Sequence, residues 1–302
     1  GMALAAAPAR ARSAPAGMRI FGKETYSESV MVMMTNAAAR TALTLRICRF
    51  PDEDMTWLWC HVLVDGHLHA FTQHDLPCSR ERINGREGLA AYEAPGLPGV
   101  SLDRTLDANN VSGANFAAEL RFHRSTHAPH GPGAVKGTFT GAFDAGRDLS
   151  RHARAGRTEV MGLVRARLVV GGRAFELSGP GKFHEQKQTQ PRFVDPFRYT
   201  WLWTGREGGV VTGYRDGVRG AWNLDGRDLE AERLQITPPG PRRSMTLGFR
   251  DEPSPRSVQI QSLARYHIPI FNETWDGSFV AAQAAGRRLS GIVNEWRPSM
   301  LP

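Results

Sequence analysis

Short segments in which apolar and polar residues alternate recur along most of the chain, and this pattern constrains the fold most. From Ser29–Thr35 to Gly277–Ala282 apolar side chains return at every second position, which is typical of strands with one buried face. Few windows carry the i, i+3, i+4, i+7 spacing of an amphipathic helix. The sequence therefore predicts an all-β protein with little helix.

Glycine and aspartate separate these segments and indicate tight turns. Asp65-Gly66, Asp216-Gly217 and Asp225-Gly226 have the composition of two-residue hairpin loops. Gly171-Gly172 lies between two apolar runs, so the segment 168–175 predicts a hairpin. Many short strands joined by such turns indicate an antiparallel sandwich or barrel.

One four-residue sequence, Thr-Trp-Leu-Trp, occurs twice. The copies begin at Thr56 and Thr200, 144 residues apart in a chain of 302, and hold four of its seven tryptophans. We interpret them as the trace of a duplicated β unit with an aromatic-lined interior. Because the polar stretch 123–157 is the clearest break, the sequence predicts domains at 18–150 and 151–302, each of a size that suits eight to ten strands. Residues 1–17 are predicted to be a disordered extension, with Met18 as the functional start.

Composition excludes several classes of protein. The chain is 41% hydrophobic and 23% charged, as in soluble globular proteins, and no apolar run is long enough to span a bilayer. The net charge of +8 comes from scattered arginines rather than a basic stripe, so we expect no nucleic-acid partner. Cys48, Cys60 and Cys78 are odd in number and lack Cys-x-x-Cys spacing. They indicate buried thiols in a reducing compartment, which predicts a cytoplasmic location.

The segment 157–186 resembles the hydroxyneurosporene synthase (carotenoid 1,2-hydratase) superfamily. The resemblance rests on Glu159, Gly162, Gly179 and Gly181, and the segments 199–203 and 291–296 are similar to further family features. It implies two tandem lipocalin-like antiparallel β-barrels, with an apolar cavity in one or both. It also implies a lipophilic small molecule as partner, isoprenoid-, polyketide- or acyl-like, and a cofactor-independent hydratase, isomerase or cyclase.

Two polar pairs form the candidate catalytic set. His184-Glu185 stands where many relatives have Asp-His-Ser-Trp, and Tyr214-x-Asp216 matches the family's Tyr-x-Asp. Because alternate side chains share a strand face, Tyr214 and Asp216 are expected to lie together. A carboxylic acid among aromatic rings has a raised pKa and would protonate an alkene. A neighbouring base would then direct hydration, isomerisation or cyclisation, without a metal or an organic cofactor.

Other interpretations of the same residues remain open. The aromatic side chains expected to bind the ligand are Trp57, Trp59, Tyr199, Trp201 and Trp203. Core packing explains the tryptophan pairs about as well, and His184-Glu185 and Asp216 also suit polar turns. The alternative function is a non-catalytic binder or carrier of a lipophile. A structural role would follow from solidly packed barrels. A rival metal site, less favoured, would use His61, His67, His69 and His74.

Overall fold

The computed structural model describes residues 20, 22–84, 86, 90–123, 134–270 and 273–298. Their regular structure consists of antiparallel β-strands and two single-turn 3₁₀ helices, Pro51–Glu53 and Ser150–His152. No α-helix occurs within these ranges, which confirms the all-β prediction, and they accordingly contain no apolar helix of membrane-spanning length. The predicted disordered extension, 1–17, and Met18 lie outside the described residues.

The first β unit is a ten-stranded antiparallel sheet. Its strands are β1 Ser27–Asn36, β2 Thr41–Phe50, β3 Met55–Val64, β4 His67–Leu76, β5 Ala90–Glu93, β6 Ser101–Asp107, β7 Asn110–Phe122, β8 Val135–Asp148, β9 Arg157–Val170 and β10 Arg173–Gln188. They lie in the order β4-β3-β2-β1-β10-β9-β8-β7-β6-β5. The backbones of Ala70 on β4 and His123 after β7 exchange two hydrogen bonds, so the sheet curls back on itself.

The second β unit is a closed barrel of eight antiparallel strands in chain order. The barrel strands are β11 Phe197–Trp203, β12 Gly208–Tyr214, β13 Gly217–Leu224, β14 Arg227–Ile236, β15 Arg242–Phe249, β16 Glu252–Ile270, β17 Glu273–Ala284 and β18 Arg287–Trp296. β11 pairs with both β12 and β18, which closes the ring. Two β units in tandem confirm the predicted fold class.

The change from one sheet to the other lies between Gln188 and Phe197. β9 pairs with β8, and β10 pairs with β1, so both strands complete the first sheet. The predicted domain boundary near residue 150 therefore does not coincide with the end of that sheet. The charged stretch before β9 is an exposed connection between neighbouring strands, which has the same composition as an interdomain linker.

β10 runs without a break through Gly179-Pro180-Gly181, although this sequence has the composition of a turn or bulge. Gly181 lies opposite Gly162 on β9, and a Cβ added at Gly181 would come within 2.5 Å of the Val164 side chain. These glycines allow close approach within the sheet rather than a turn. As a result β9 and β10 form a long ladder that reaches His184.

The two Thr-Trp-Leu-Trp copies point their leucines and tryptophans in opposite directions. Leu58 belongs to the core inside the first sheet, and Leu202 to the core inside the barrel. The four tryptophans all belong to a third core, which packs the outer faces of the two units together. The predicted aromatic-lined barrel interior is therefore wrong, because the alternation of side chains sends the aromatic rings to the interface between the units.

Candidate functional site

A cavity of about 400 Å³ lies at this interface rather than inside either β unit. Strands β1, β2, β3, β9 and β10 supply one side, and β11, β12, β16, β17 and β18 supply the other. The connector 190–195 between β10 and β11 covers part of it. Its volume is in the range of sites for small organic ligands.

Aromatic rings form one wall of the cavity. The ring centroid of Trp275 lies 5.2 Å from that of Trp59, 5.1 Å from Phe197 and 5.9 Å from Phe193, in each case edge to face. Edge-to-face contacts of this kind favour a fixed arrangement of the rings. The wall therefore offers an ordered apolar surface to a ligand.

Glu159 is the centre of a buried polar network beneath the opposite wall. The antiparallel register places Glu159 of β9 directly opposite His184 of β10, and Lys182 projects to the same face two residues earlier. The Glu159 carboxylate forms an ion pair with Lys182, lies 3.1 Å from Nδ1 of His184 and lies 3.5 Å from Nη2 of Arg157. Glu159, Lys182 and His184 are each at most 3% exposed.

The protonation state of this network follows from its charges. Burial alone would raise the pKa of Glu159, but Lys182, His184 and Arg157 together hold it well below its usual range. An ionised carboxylate only accepts hydrogen bonds, so Nδ1 of His184 is the donor. Burial lowers the pKa of His184 to about 3, against the opposing effect of Glu159. His184 is therefore a neutral imidazole whose Nε2 carries a free lone pair, and it lines the cavity.

Tyr199 lines the same cavity and is supported from behind by a buried cation. The ammonium group of Lys182 donates a hydrogen bond to the Tyr199 hydroxyl oxygen. Burial raises the pKa of Tyr199 well above its usual value and lowers the pKa of Lys182 to about 8. The phenol is thus protonated at neutral pH, and Lys182 would stabilise the phenolate left after proton donation.

Tyr214 and Asp216, predicted to act together, are separated. Arg157 Nη1 donates a 2.5 Å hydrogen bond to the Tyr214 hydroxyl oxygen, and Tyr214 lines the cavity. Asp216 follows the end of β12, is exposed, and accepts a 3.0 Å hydrogen bond from Arg154. The two residues do not share a strand face, because the strand ends at Tyr214.

His184 and Glu185 are separated in a different way. They are consecutive on β10, so they point to opposite faces of the sheet. Glu185 enters the core of the first sheet, where it accepts a hydrogen bond from Tyr92 and lies 3.1 Å from Nε of Arg104. The alternative interpretation of His184-Glu185 as a polar turn is wrong, since both lie within a strand.

Two of the four predicted catalytic residues, His184 and Tyr214, line the cavity, whereas Glu185 and Asp216 do not. Of the five aromatic residues predicted to bind the ligand, two line the cavity as well. Trp59 and Tyr199 line the cavity, and the other three rings, Trp57, Trp201 and Trp203, pack in the core around it.

The histidines weighed as a metal site, His61, His67, His69 and His74, do not converge. His61 stacks on Tyr266 with ring centroids 4.4 Å apart, while His74 accepts a 2.7 Å hydrogen bond from the Trp59 indole. His69 lies opposite Val62, one residue from His61, and therefore on the other sheet face. The described part of the chain contains no group of three or more His, Cys, Asp or Glu side chains that could hold a metal.

The fold is similar to several solved structures of low sequence identity. CghA, solved with Sch210972, has a TM-score of 0.63 and 11% identity over 91% of this chain and 89% of the other. This chain has the same two-unit β fold. A protein named AttH from Nitrosomonas europaea has a TM-score of 0.58 and 10% identity over 96% and 98% of the two chains.

A further similar structure is kievitone hydratase from Nectria haematococca, with a TM-score of 0.51 and 10% identity over 94% of this chain and 92% of the other. No protein-family model matches the chain, and no curated protein matches its sequence. The similarity in fold agrees with the tandem lipocalin-like arrangement that the sequence resemblance implied.

Proposed function

We propose that the inter-sheet cavity is the active site of an enzyme that transfers protons on a largely apolar small molecule, as a hydratase, isomerase or cyclase does. One observation carries the proposal. A neutral His184, oriented by the ionised Glu159, lines the same cavity as Tyr199, which is supported by Lys182. A base and an acid with opposite tasks therefore face one ligand.

The acid in this proposal differs from the one that the sequence predicted. Glu159 is ionised and Glu185 faces away, so neither glutamate is the donor. Phenols are weak acids and protonate oxygen more readily than an isolated alkene, so the favoured substrate has a carbonyl group. Tyr199 would donate to the carbonyl oxygen while Nε2 of His184 takes a proton from water or from carbon. When the enol returns to a carbonyl in the product, its oxygen would give the proton back to the Tyr199 phenolate, which Lys182 stabilises in the interval.

The three reaction types share this first exchange of protons and differ in the next step. Water activated by His184 and added to a conjugated double bond gives hydration. Return of the proton to another carbon gives isomerisation, and attack by a carbon atom of the same molecule gives cyclisation. These steps use no metal or organic cofactor. Free, buried cysteines agree with the cytoplasmic location that forms part of the proposal.

A non-catalytic binder is the second candidate. It is favoured by the arrangement of the guanidinium group of Arg46, which lies 4.4 Å above the Trp59 ring and requires no chemistry to receive a ligand. The two functions differ in the effect of His184→Gln. In a binder the affinity changes and no product forms in any variant, whereas in an enzyme turnover is lost while the ligand still binds.

The test begins with titrations of tryptophan fluorescence against polyenes, sterols, terpenoids, acyl compounds and α,β-unsaturated ketones. Every compound that binds saturably is then incubated with protein, and the products are identified by mass spectrometry and NMR. We expect His184→Gln and Tyr199→Phe each to lower turnover about 10²–10⁴-fold. His67→Gln, at an exposed position on β4, is the matched control. Saturable binding without any product in the wild-type protein would contradict the enzymatic proposal.

A further inference from the structure

Two arginines that line the cavity have no carboxylate partner among the residues that the structure describes. Arg46 on β2 and Arg192 in the connector are each 7% exposed. The other two arginines of the cavity are paired, Arg154 with Asp216 and Arg157 with Glu159. Within the described ranges neither Arg46 nor Arg192 forms an ion pair. The described part of the chain therefore offers no counterion to these two buried positive charges.

The guanidinium group of Arg46 lies among aromatic rings. Its guanidinium carbon lies 4.4 Å from the Trp59 ring centroid and 5.9 Å from the centroids of both Phe193 and Trp275. Its Nε is buried and has no hydrogen-bond partner among the described residues. Unsatisfied donors of a buried charge are costly, so the site gains free energy when an acceptor enters.

Arg192 is anchored at one edge and unsatisfied at the other. Its Nε donates a 2.6 Å hydrogen bond to the Ser27 hydroxyl oxygen, while its Nη2 is buried and has no hydrogen-bond partner in the described structure. Burial, together with the charges of Arg192 and Arg157, lowers the pKa of Arg46 to about 10, so Arg46 is charged at neutral pH. Burial also lowers the pKa of Arg192, although guanidinium groups have so high an ordinary pKa that this side chain is charged as well. Asp195, the carboxylate on the cavity lining, is exposed and pairs with neither arginine.

We infer that Arg46 and Arg192 form an anion subsite, and that the ligand of this cavity is a largely apolar molecule carrying one carboxylate. Guanidinium donors match the two oxygens of a carboxylate, and the aromatic wall beside Arg46 would contact the apolar part of the same molecule. The inference rests on the proposed function insofar as the same cavity holds the substrate. It adds the chemical class that the cavity selects.

The experiment compares cis-parinaric acid with its methyl ester, which share one polyene chain and differ in charge. Binding is followed by quenching of tryptophan fluorescence at about pH 8, where the free carboxylate is ionised. We expect the wild-type protein to bind the acid at least about tenfold more tightly than the ester, since charge-assisted hydrogen bonds supply a difference of that size. Arg46→Gln and Arg192→Gln are expected to reduce this preference below about threefold, chiefly by weakening the binding of the acid.

Arg167→Gln is the matched control, because Arg167 is exposed and its Nε lies 3.7 Å from the exposed Glu176. Thermal unfolding followed by circular dichroism shows whether each variant is folded, and Arg46→Lys, which keeps the charge, is expected to retain part of the preference. Equal binding of acid and ester by the wild-type protein overturns the inference, and so does failure of both to bind. A preference that survives both Gln substitutions overturns it as well.

Failure of the anion-subsite inference can be distinguished from failure of the acid–base proposal. If the anion subsite is right and the acid–base proposal is wrong, His184→Gln keeps the preference for acid over ester and no variant yields a product. If the subsite is wrong and the acid–base proposal is right, the preference is absent while His184→Gln still abolishes turnover of a neutral substrate.

Discussion

Nδ1 of His184 lies 3.1 Å from Oε1 of Glu159, across a ladder of paired strands that begins at the hairpin Gly171-Gly172. The pair depends on register, since a slip of one residue would send one of the two side chains to the opposite face. The pairing of β9 with β10 therefore fixes the orientation of the His184 side chain beside the cavity.

Replacement of the buried carboxylate is the first test of this pair. We expect Glu159→Gln to lower turnover at least about tenfold, because the amide no longer fixes the tautomer of His184 and leaves Lys182 without a counterion. Turnover is measured on the substrate found by fluorescence screening, normalised to the folded fraction. Glu185→Gln is the comparison, since Glu185 is adjacent to His184 in sequence but faces the core. Loss of turnover in folded Glu185→Gln, with Glu159→Gln active, would contradict this assignment.

We expect the protein to lose stability in acid, because two buried histidines have lowered pKa values. Burial lowers the pKa values of His61 and His184 to about 3, from the ordinary value of 6.5. Between these pH values the unfolded chain binds protons that the folded protein does not, so the free energy of unfolding falls as pH decreases from about 6.5 towards 3. Each histidine contributes up to about 1.4 kcal/mol per pH unit.

Urea denaturation at several pH values measures this slope. His61→Gln should reduce this slope by nearly the contribution of one bound proton, about 1.4 kcal/mol per pH unit. The exposed substitution His67→Gln should reduce the slope much less. An unchanged slope in His61→Gln would show that His61 already binds its proton in the folded protein.

The fluorescence signal should come from the interface between the units. We expect Trp59→Phe to reduce ligand-induced quenching and to weaken binding, because Trp59 lines the cavity and supports Arg46. Trp222→Phe is the matched control, since Trp222 belongs to the barrel core. If Trp222→Phe abolished the response and Trp59→Phe did not, the ligand would occupy the barrel interior instead.

Glu28 is expected to be a major contributor to stability. Its fully buried carboxylate forms an ion pair with Arg49 and accepts 2.8 Å hydrogen bonds from the backbone N–H groups of Ile83 and Asn84. Glu28→Ala leaves Arg49 buried and unpaired, so we predict a loss of about 3–5 kcal/mol in the free energy of unfolding. Glu119→Gln, in an exposed pair with Lys136, should cost under about 1 kcal/mol in the same denaturation experiment.

The absence of a side chain at Gly277 leaves room for the ring of Tyr266, which lines the cavity. The Tyr266 ring lies over Gly277, and a Cβ at this position would come within 2.0 Å of that ring. Tyr266 also stacks on His61 and donates a 2.8 Å hydrogen bond to Asn294. Gly277→Ala should therefore destabilise the protein by about 1–3 kcal/mol and weaken ligand binding. Gly240→Ala, where the nearest atom is 3.6 Å away, is the control for both measurements.

Part of the candidate site follows from the hairpin at Gly171-Gly172, which the sequence predicts. When the register of this hairpin is extended along both strands, Glu159 pairs with His184. Glu159 is also one of the residues on which the family resemblance rests. The sequence predicts the hairpin only over 168–175, and Gly179-Pro180-Gly181 has the composition of a turn rather than of a continuing strand. Whether such glycines turn the chain or allow close packing within a sheet depends on what packs against them. Here the Val164 side chain packs beside Gly181.

Alternation and turn composition act between neighbours in the chain, so they determined the all-β class, most strands and the sharing of a face by Trp57 and Trp59. Which face becomes the interior depends on contacts between residues far apart in sequence. Packing of the outer faces of two β units created the cavity and brought Arg46 from one strand beside Arg192 from the connector. It also directed Glu185 into a core and left Asp216 in solvent. Only the tertiary structure decides these placements, because the free energy that selects them comes from burying side chains between strands that are far apart in sequence.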